Sequence, residues 1–252
     1  MNTLTLQRHQ VILNLLKQQG VVKLQELVQA TDSSESTIRR DLIELEQRHL
    51  LKRIHGGATQ LQTKGTEPSI AEKSTKNLQA KQRIAALAAS LVEPGDCLYL
   101  DAGSTTLEMV PHLRGKNITV VTNGFAQLEA LVEHQIRAYL LGGMMKPSTR
   151  AMIGCMALES LRNYRFDKCF LGTNGIDLEL GYTTPDPDEA TIKKTALRLS
   201  SQPYVVADRH KFFEVSFAKI ADIEEMHIIT DQLPDEQRET YQKKTHVFEV
   251  ES

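Results

Sequence analysis

From about residue 75 onward, short apolar runs alternate with amphipathic segments, and this alternation restricts the fold more than any other feature of the sequence. The runs of strand type are LYLD (98–101), ITVVT (118–122), AYLLG (138–142), KCFLG (168–172), YVVAD (204–208), HIIT (227–230) and HVFEV (246–250). Segments with helical spacing, such as IAALAASLV and FAQLEALVEH, separate them. Such an alternation is typical of a mostly parallel sheet flanked by helices. We therefore predict an α/β domain over residues 75–252, with 246–250 as an edge strand.

Residues 1–58 carry a different pattern, in which helical segments precede a glycine-containing hairpin. The apolar spacing predicts helices over residues 6–18, 23–30 and 34–48. Ser33 or Ser34 can cap the free N–H groups of the third helix. The run LLKRIHGGAT then predicts two short strands joined by a Gly-Gly turn. The polar residues 59–74 show no period and predict a linker, so we expect one small and one large domain.

The net charge of −2 hides an uneven distribution along the chain. Residues 1–58 contain 8 Lys and Arg against 6 Asp and Glu, whereas the remainder contains 22 against 26. The first domain is therefore mildly basic, which agrees weakly with an anionic partner.

Several kinds of site are not expected from this sequence. The three cysteines, Cys97, Cys155 and Cys169, form no CxxC pair, which favours reduced thiols in a cytoplasmic protein. Histidines and cysteines show no metal-ligand spacing, so we predict neither a metal nor another cofactor. No apolar run approaches the ~18 residues of a membrane span, and the first residues lack the pattern of a signal peptide.

The third predicted helix has one apolar and one polar face. With Ile38 at the centre of the buried face, Leu42 and Leu45 fall on the same side, and Ser36 and Arg40 point away. Arginine reads guanine edges, and serine or threonine contacts bases or phosphates in a DNA groove. The candidate DNA-binding residues of this helix and the hairpin are Ser34, Ser36, Thr37, Arg39, Arg40, Lys52, Arg53, His55 and Gly56. A helical bundle with a solvated charged face remains the alternative at this point.

Polar or glycine-rich residues follow several of the predicted strands. In the first such turn, LDAGSTTLEMV (100–110), a strand ends and a helix begins, so N–H groups and hydroxyls can hold an anion. Plain capping of the helix fits the same residues equally well. Ligands of open α/β sheets bind at the carboxyl ends of the strands, which predicts a pocket for a polyhydroxylated anion. The candidate pocket residues are Asp101, Gly103, Ser104, Thr105, Thr106, Thr122, Asn123, Gly142, Gly143, Asn174, Gly175, Asp177, Asp208 and Lys211.

Glu189 and Lys193 complete the candidate pocket residues, and their spacing allows two interpretations. They lie four residues apart on one face of the helix that follows TTPDPDE. A surface salt bridge between them is the first interpretation. The second is that Lys193 reaches into the pocket, toward a phosphate or a sugar hydroxyl.

The run SESTIRRDLIELEQRHLLKRIHGGA (34–58) resembles the N-terminal signature of the DeoR family of bacterial sugar-operon regulators. The elements TIRRDL, LE and HGGA occur in the order and spacing of that family, and the resemblance continues through the second domain. The chain departs from the pattern at His49, where the family usually has glycine. Histidine adopts a left-handed φ at modest cost, so this departure leaves DNA binding as the expectation.

The resemblance implies a sensor domain similar to ribose-5-phosphate isomerase and glucosamine-6-phosphate deaminase, in which a similar G-S-x-T-T loop holds the sugar phosphate. The isomerase has Asp-Gly-Ala-Asp where this chain has Asn174-Gly175-Ile176-Asp177. An amide at position 174 cannot abstract a proton near neutral pH. We therefore expect a ligand-binding domain that is not an enzyme.

The resemblance thus implies a repressor of a carbohydrate-utilisation operon that a sugar phosphate releases from double-stranded operator DNA. GTNGIDLELGYTTPDPDEA is similar to fructose-repressor relatives, which suggests fructose 1-phosphate first and tagatose 6-phosphate second. A homo-oligomer, either a dimer or a tetramer, is expected, because one winged module buries too little surface for tight binding. The alternatives are a sugar-phosphate isomerase or deaminase with an appended DNA-binding domain, and a protein–protein adaptor.

Overall fold

The computed structural model describes residues 3–19, 21–48, 50–54, 56–60 and 69–250 of the chain. The chain divides into two compact units, Met1–Thr63 and Lys64–Ser252. Each unit has its own hydrophobic core, so each is described by itself.

The first unit is a three-helix domain with a small antiparallel sheet. Its elements are α1 (Thr3–Gln19), β1 (Val21–Lys23), α2 (Leu24–Thr31), α3 (Glu35–Gln47), β2 (Leu51–Ile54) and β3 (Gly57–Gln60). The three helices and the hairpin follow the sequence prediction to within a few residues at most ends. Ile38, Leu42 and Leu45 are buried on one face of α3, where they join a core with residues of α1 and α2. The fold is that of a winged helix-turn-helix.

Strand β1 was not predicted, because three residues are too short to show a period. It pairs antiparallel with β3, which gives the strand order β1-β3-β2. Gly57 permits this pairing, since a Cβ built there would lie 2.2 Å from the carbonyl oxygen of Val22. The Gly-Gly turn therefore has a packing role in addition to shaping the hairpin.

The second unit is an α/β domain, as predicted. Its first half contains α4 (Ile70–Thr75), α5 (Leu78–Ser90), β4 (Cys97–Leu100), α6 (Ser104–Met109), β5 (Thr119–Thr122), α7 (Phe125–Glu133), β6 (Arg137–Leu140), β7 (Met144–Lys146), β8 (Ala151–Ile153) and α8 (Cys155–Leu161). Its second half contains β9 (Phe166–Leu171), β10 (Gly175–Asp177), β11 (Gly181–Thr184), α9 (Pro187–Arg198), β12 (Ser200–Val206), β13 (Ala218–Ala221), β14 (His227–Thr230), α10 (Asp235–Gln242) and β15 (Val247–Glu249).

Seven parallel strands form the central sheet, in the order β15-β14-β12-β9-β4-β5-β6. The predicted edge strand at 246–250 is confirmed as β15. Side chains of successive strand residues enter two different cores, so Tyr99 packs with α8 and α9 while Leu98 and Leu100 pack with α5 and α6. Both faces of the sheet are thus covered by helices, as parallel sheets require.

The topology places a crevice at the end of β4. The chain runs from β4 to β5 on one side and returns to β9 on the other side of β4. At such a switch point the connections diverge and leave room at the carboxyl ends of the strands. The GSTT turn directly follows β4, and Gly172 directly follows β9.

The structure differs from the sequence prediction in the segment 59–74. Gln60 still belongs to β3, residues 61–68 lie outside the described part, and residues 70–75 form α4. Helix α4 begins with a capping box, in which Ser69 and Glu72 bind each other's backbone N–H groups. The S-x-x-E spacing of this box is present in the sequence, but the polar residues around it show no helical period. The hairpin β7–β8 and the small sheet β10-β11-β13 were also not predicted.

Candidate functional site

The outer face of α3 carries the side chains that the helical period assigned to it. Ser36, Arg39 and Arg40 are exposed, and Thr37 is half-buried. Ser34 is the N-cap, and its hydroxyl oxygen accepts a hydrogen bond of 3.3 Å from the Thr37 N–H. Capping fixes the first turn of α3, so the polar residues on that turn form a single ordered surface.

The arginines of this unit differ in their availability. Arg39 forms a 2.6 Å ion pair with Glu35 on the same helix, and Arg53 of β2 forms a 2.6 Å ion pair with Glu46. Arg40 has no ion-pair partner within the described residues. Exposed ion pairs are weak, so Arg39 and Arg53 can exchange their carboxylates for phosphates at little cost.

The wing itself is only partly described. Lys52 lies in β2, paired with Thr59 of β3, and His55 and His49 lie outside the described residues. Gly56 has a φ of +79°, which glycine adopts without strain. Its carbonyl oxygen accepts a 2.7 Å hydrogen bond from the N–H of Leu24, so the turn is held against the start of α2.

A buried carboxylate orients α3, and sequence reasoning missed it. Asp41 is 4% exposed and accepts hydrogen bonds from the guanidinium of Arg8 and from Nε2 of His9, both on α1. Burial alone would raise the pKa of Asp41, but the hydrogen bond and charge of Arg8 outweigh it, and the pKa is lowered. An aspartate three residues after Ile38, on the apolar face, was the available signal.

In the second unit, Asp101 connects the two strands that flank the switch point. Its Oδ1 accepts from the Gly103 N–H (2.9 Å) and the Thr106 hydroxyl (3.0 Å), and its Oδ2 accepts from the Gly172 N–H (2.7 Å). The ammonium of Lys193 also contacts Oδ2, and it donates to the Gly172 carbonyl at 3.0 Å. The carboxylate is 1% exposed and has a donor on every side, so it holds the β4 and β9 ends together.

The three hydroxyls of the GSTT turn are not equivalent. The hydroxyl of Thr106 lies 2.8 Å from each of the carbonyl oxygens of Asp101 and Gly103, and its single proton is shared among these and Asp101 Oδ1, so the hydroxyl serves the loop. Ser104 and Thr105 are 8% and 7% exposed. Within the described part of the chain, their hydroxyls make no hydrogen bond. Of the three hydroxyls in the GSTT turn, those of Ser104 and Thr105 therefore remain available to bind an anion.

At the end of β5 the predicted polar residues, Thr122 and Asn123, form hydrogen bonds within the fold. The hydroxyl of Thr122 accepts from the Gly124 N–H at 3.0 Å. The amide of Asn123 accepts from the hydroxyl of Tyr99 at 2.9 Å and donates to the carbonyl of Met152 at 3.2 Å. Both residues are buried, so their side chains shape this edge of the sheet.

The predicted residues after β9 also have roles within the fold. Oδ1 of Asn174 accepts from the hydroxyl of Thr184 at 3.1 Å. A Cβ at Gly175 would lie 2.2 Å from the Glu214 carbonyl oxygen, so glycine permits a close approach of two backbones. Asp177 accepts from the N–H groups of Glu179 and Leu180 at 3.0 and 2.9 Å, which forms the turn between β10 and β11.

The structure does not add Gly142 and Gly143 to the Asp101 crevice. They line a cleft of about 680 Å³ with residues of β7, β8 and α8, and neither Asp101 nor Lys193 belongs to the described lining. The chain leaves β6 at Leu140, and Gly143, with a φ of +131°, turns it toward the β7–β8 hairpin. A glycine pair at a strand end marks a turn, but it does not fix the direction in which the turn opens.

Glu189 and Lys193 are both buried on α9, and their bonds lead to different parts of the fold. Lys193 contacts Asp101, which agrees with the interpretation that it reaches the pocket. Glu189 accepts from the hydroxyl of Thr149 at 2.7 Å and from Nζ of Lys146 at 3.1 Å. The surface salt bridge is therefore the wrong interpretation, because both side chains point inward toward neighbouring loops.

Lysines gather beside the end of β12, and one of them was not predicted. Lys81 of α5 is 4% exposed, and its ammonium donates to the carbonyl oxygen of Lys73. Burial lowers the pKa of Lys81, the carboxylate of Asp208 opposes this, and the charge of Lys211 adds to it. Neither Lys81 nor Lys211 has a salt bridge within the described ranges. A buried lysine without a paired carboxylate indicates a place where an anion would be stabilised.

Asp208 of the same cluster has the neighbours of a structural residue. It is 2% exposed and accepts from the N–H and the ring of His210 and from the amide of Asn77. Burial alone would raise the pKa of Asp208, but His210 and Lys211 outweigh it, and the pKa is lowered. The carboxylate thus stays charged between the lysines, and it offsets only part of their positive charge.

Two further properties concern other kinds of site. In the described ranges, no helix combines the length and the apolar character needed to cross a membrane. The same ranges contain no cluster of three or more His, Cys, Asp or Glu residues that would hold a metal ion.

Both units match known families. A model of the DeoR-like helix-turn-helix domain matches residues 8–64, and a model of the DeoR C terminal sensor domain matches residues 76–232. The HTH-type transcriptional regulator FruR of Bacillus subtilis (strain 168), itself described as uncharacterized, is 51% identical over 97% of this chain and 98% of its own. A putative aga operon transcriptional repressor of Escherichia coli O157:H7 is 34% identical over 95% and 91%.

Other relatives extend the comparison. The lactose phosphotransferase system repressor of Staphylococcus aureus (strain N315) is 33% identical over 90% of this chain and 92% of its own. Among solved structures, ribose 5-phosphate isomerase A of Methanocaldococcus jannaschii covers 54% of this chain and 55% of its own, with a TM-score of 0.42 and 17% identity. A likeness this distant carries no information about activity.

Proposed function

Because this chain belongs to the DeoR family of transcriptional regulators, we propose that it represses a carbohydrate-utilisation operon and leaves its operator when a sugar phosphate binds. The names of its relatives support this proposal, since one is described as a putative aga operon transcriptional repressor and another as a lactose phosphotransferase system repressor. The helix-turn-helix unit would bind the operator, and the α/β unit would bind the effector.

For the DNA-binding half, the supporting observation is the exposed polar face at the start of α3. In helix-turn-helix domains the first residues of the recognition helix reach base edges in the major groove. Arg40, which has no ion-pair partner within the described residues, is the proposed base-reading side chain. Ser34, Ser36, Thr37 and Arg39 would contact phosphates or bases beside it. Lys52, Arg53, His55 and Gly56 would place the wing on the sugar-phosphate backbone.

For the sensing half, one observation carries the proposal: two uncommitted hydroxyls, Ser104 and Thr105, at the crevice end of β4. The N-cap of α6, Gly103, forms no side-chain hydrogen bond to the N–H groups that begin the helix, and such a helix start favours an anion. Helix α5, which bears Lys81, packs against α6. A sugar phosphate carries nearly two negative charges at neutral pH, so Lys81 and Lys211 would supply charge-assisted hydrogen bonds.

The remaining predicted pocket residues would act by shaping the crevice. Seven of them use side-chain oxygens in hydrogen bonds within the fold: Asp101, Thr106, Thr122, Asn123, Asn174, Asp177 and Asp208. An amide at 174 and a fully bonded carboxylate at 101 leave no evident general base at the switch point. The proposed effector is therefore bound and released unchanged.

Fructose 1-phosphate is the first proposed effector and tagatose 6-phosphate the second. The similarity to a regulator named FruR supports the first. A homo-oligomer, dimeric or tetrameric, is proposed because paired half-sites multiply the affinity of a small DNA-binding unit.

The test compares Thr105→Glu with the wild type on an operator selected from random DNA by repeated binding and amplification. Glutamate at 105 would place a carboxylate where the phosphate binds, so the variant should keep its operator affinity and lose its response to the sugar phosphate. Thr191→Glu, at an exposed position of α9, is the matched control and should respond normally. Fluorescence anisotropy measures operator binding, and NMR follows the sugar.

Three outcomes would contradict the proposal. Selection would yield no preferred DNA sequence, Thr105→Glu would respond like the wild type, or purified wild type would steadily convert the sugar phosphate. A screen of sugar phosphates by thermal shift identifies the effector, because a ligand of the native state raises the melting temperature.

A further inference from the structure

We propose that helix α4 transmits effector binding from the sensor crevice toward the operator-binding unit, an inference that rests on the proposed function. Helix α4 is the first element described after residues 61–68, which connect the two units in the chain. It is a six-residue helix, and none of its residues is buried. An element with so little buried surface is held by a few specific bonds, and loss of one of them can displace it.

The first bond lies at the N-terminus of α4. The N–H of Ile70 donates to the carbonyl oxygen of Ser148 at 2.8 Å. The turn that contains Ser148 is held from within by the Arg150 N–H, which donates to the Lys146 carbonyl at 2.8 Å. It is held from outside by Glu189, which binds the hydroxyl of Thr149 and the ammonium of Lys146.

This first bond leads back to the crevice through α9. Glu189 lies one helical turn before Lys193, and Lys193 contacts Asp101 at the switch point. The same turn also meets the end of β5, where the N–H of Phe125 donates to the Arg150 carbonyl at 3.0 Å. A shift at the end of β4 or β5 therefore acts on the carbonyl that holds Ile70.

The second bond lies in the last turn of α4. The carbonyl oxygen of Lys73 accepts from the ammonium of Lys81, which is the buried lysine proposed to bind the phosphate. Helix α4 also packs directly on α6, which carries Ser104 and Thr105. An ammonium has three N–H donors, but a phosphate in the crevice would draw the Lys81 side chain away from the Lys73 carbonyl. A hydrogen bond between two charged groups is roughly twice as strong as one to a neutral acceptor, so the phosphate would win.

Effector binding would thus remove the second bond of α4 and leave the helix held by the first bond and by its packing on α6. The capping box of Ser69 and Glu72 lies within the helix and its N-cap, so α4 would move as an intact helix. In this scheme, a variant that breaks the first bond imitates the effector. It loosens α4 and weakens operator binding although no sugar phosphate is present.

The experiment uses Thr149→Val in the full-length protein. Valine keeps the shape of threonine and removes the hydroxyl that binds Glu189. Thr191→Val on α9 is the matched control, because that hydroxyl is exposed and, among the described residues, bonds only to the Pro187 carbonyl of its own helix. Two quantities are measured without sugar phosphate: operator affinity, and hydrogen exchange of the amides of residues 70–75. A thermal melt of each variant verifies that it folds.

We expect Thr149→Val to lose about fivefold or more in operator affinity, within the usual range of allosteric coupling factors. The amides of α4 should exchange faster in this variant, and Thr191→Val should match the wild type in both measurements. Fructose 1-phosphate, added to the wild type, should speed the exchange of the same amides.

The two proposals fail in different ways. If fructose 1-phosphate releases the wild type from DNA while α4 exchange stays constant in both the wild type and Thr149→Val, the relay is wrong and the proposed function stands. If Thr149→Val loses operator affinity and α4 protection while no sugar phosphate acts on the wild type, the relay stands and the proposed effector is wrong. Unchanged operator affinity and unchanged α4 exchange in Thr149→Val overturn the relay under any condition.

Discussion

The two units use the same types of residue in opposite ways. In the operator-binding unit, Ser36, Arg39 and Arg40 extend from a helix into solvent, where a partner can reach them. In the sensor unit, Asp101 and Thr106 are almost fully buried, and each binds several groups of the loops around it. Loops at strand ends expose backbone groups that must find partners, so polar side chains there satisfy the fold first. Side chains such as Ser104 and Thr105, which the fold does not use in this way, are the first candidates to hold a ligand.

Both units nevertheless share one device, a buried aspartate that binds a cation from a distant part of the chain. Asp41 fixes α3 to Arg8 of α1, and Asp101 fixes β4 to Lys193 of α9. In each case the aspartate lies directly beside the proposed contact surface. A buried pair of this kind restricts the geometry of its neighbours, and its loss leaves an uncompensated charge in the interior.

The largest expected effect comes from breaking the buried pair of the sensor. Lys193→Met leaves the charge of Asp101 buried without its cation, which should lower the free energy of unfolding by about 3–5 kcal/mol. Urea unfolding of the full-length protein measures the loss. Lys194→Met, at the exposed neighbouring position, is the control and should change the free energy of unfolding by less than about 0.5 kcal/mol. Equal stability of the two variants would show that the buried pair of Lys193 and Asp101 contributes no more to the stability of the sensor unit than an exposed lysine does.

The next effect concerns the exposed surface of the other unit. Arg40→Ala should weaken binding to the selected operator by about 1–3 kcal/mol, because a base-reading arginine is lost. The melting temperature should stay at the wild-type value, since the side chain is exposed. Arg48→Ala, also exposed but at the opposite end of α3, is the control and should affect binding less. Anisotropy titrations on operator and on unrelated DNA separate specific from general binding. Unchanged operator affinity in Arg40→Ala would remove this residue from the reading surface.

The contrast between the units also explains which predictions were possible from sequence. The helical period places Ile38 inside and Arg40 outside without knowledge of any other segment, and the structure agrees. The alternation after residue 75 predicted the parallel sheet for the same reason, since each strand pattern is local. These parts of the fold depend on short-range geometry.

Other features depend on contacts between distant segments and could not be predicted. No local pattern indicates that Lys193 contacts Asp101 or that Lys81 is buried, because both follow from how helices pack on the sheet. The sequence predicted that Gly142 and Gly143 belong to the anion pocket, but the hairpin β7–β8 directs them to another cleft. Which hydroxyls of the GSTT turn remain available is likewise decided by the position of Asp101, Gly103 and Thr106 in three dimensions.

The smallest expected effect concerns the pair of His210 and Asp208, in which the histidine is exposed and the aspartate is buried. The hydrogen bond that the ring of His210 donates to Asp208 raises the pKa of His210, against the effect of burial. A raised pKa in the folded state means that the pair stabilises the protein fully below the unfolded-state value of about 6.5 and loses this contribution as pH rises through the folded-state pKa. The side chain of His210 is 59% exposed, so solvent screening limits the gain to about 0.5 kcal/mol or less. The difference in unfolding free energy between wild type and His210→Asn should therefore be largest near pH 5.5 and smallest above pH 8, by about that amount. A difference that instead grows with pH would mean that the histidine is stabilised in its neutral form, and that Asp208 does not serve as its charged partner.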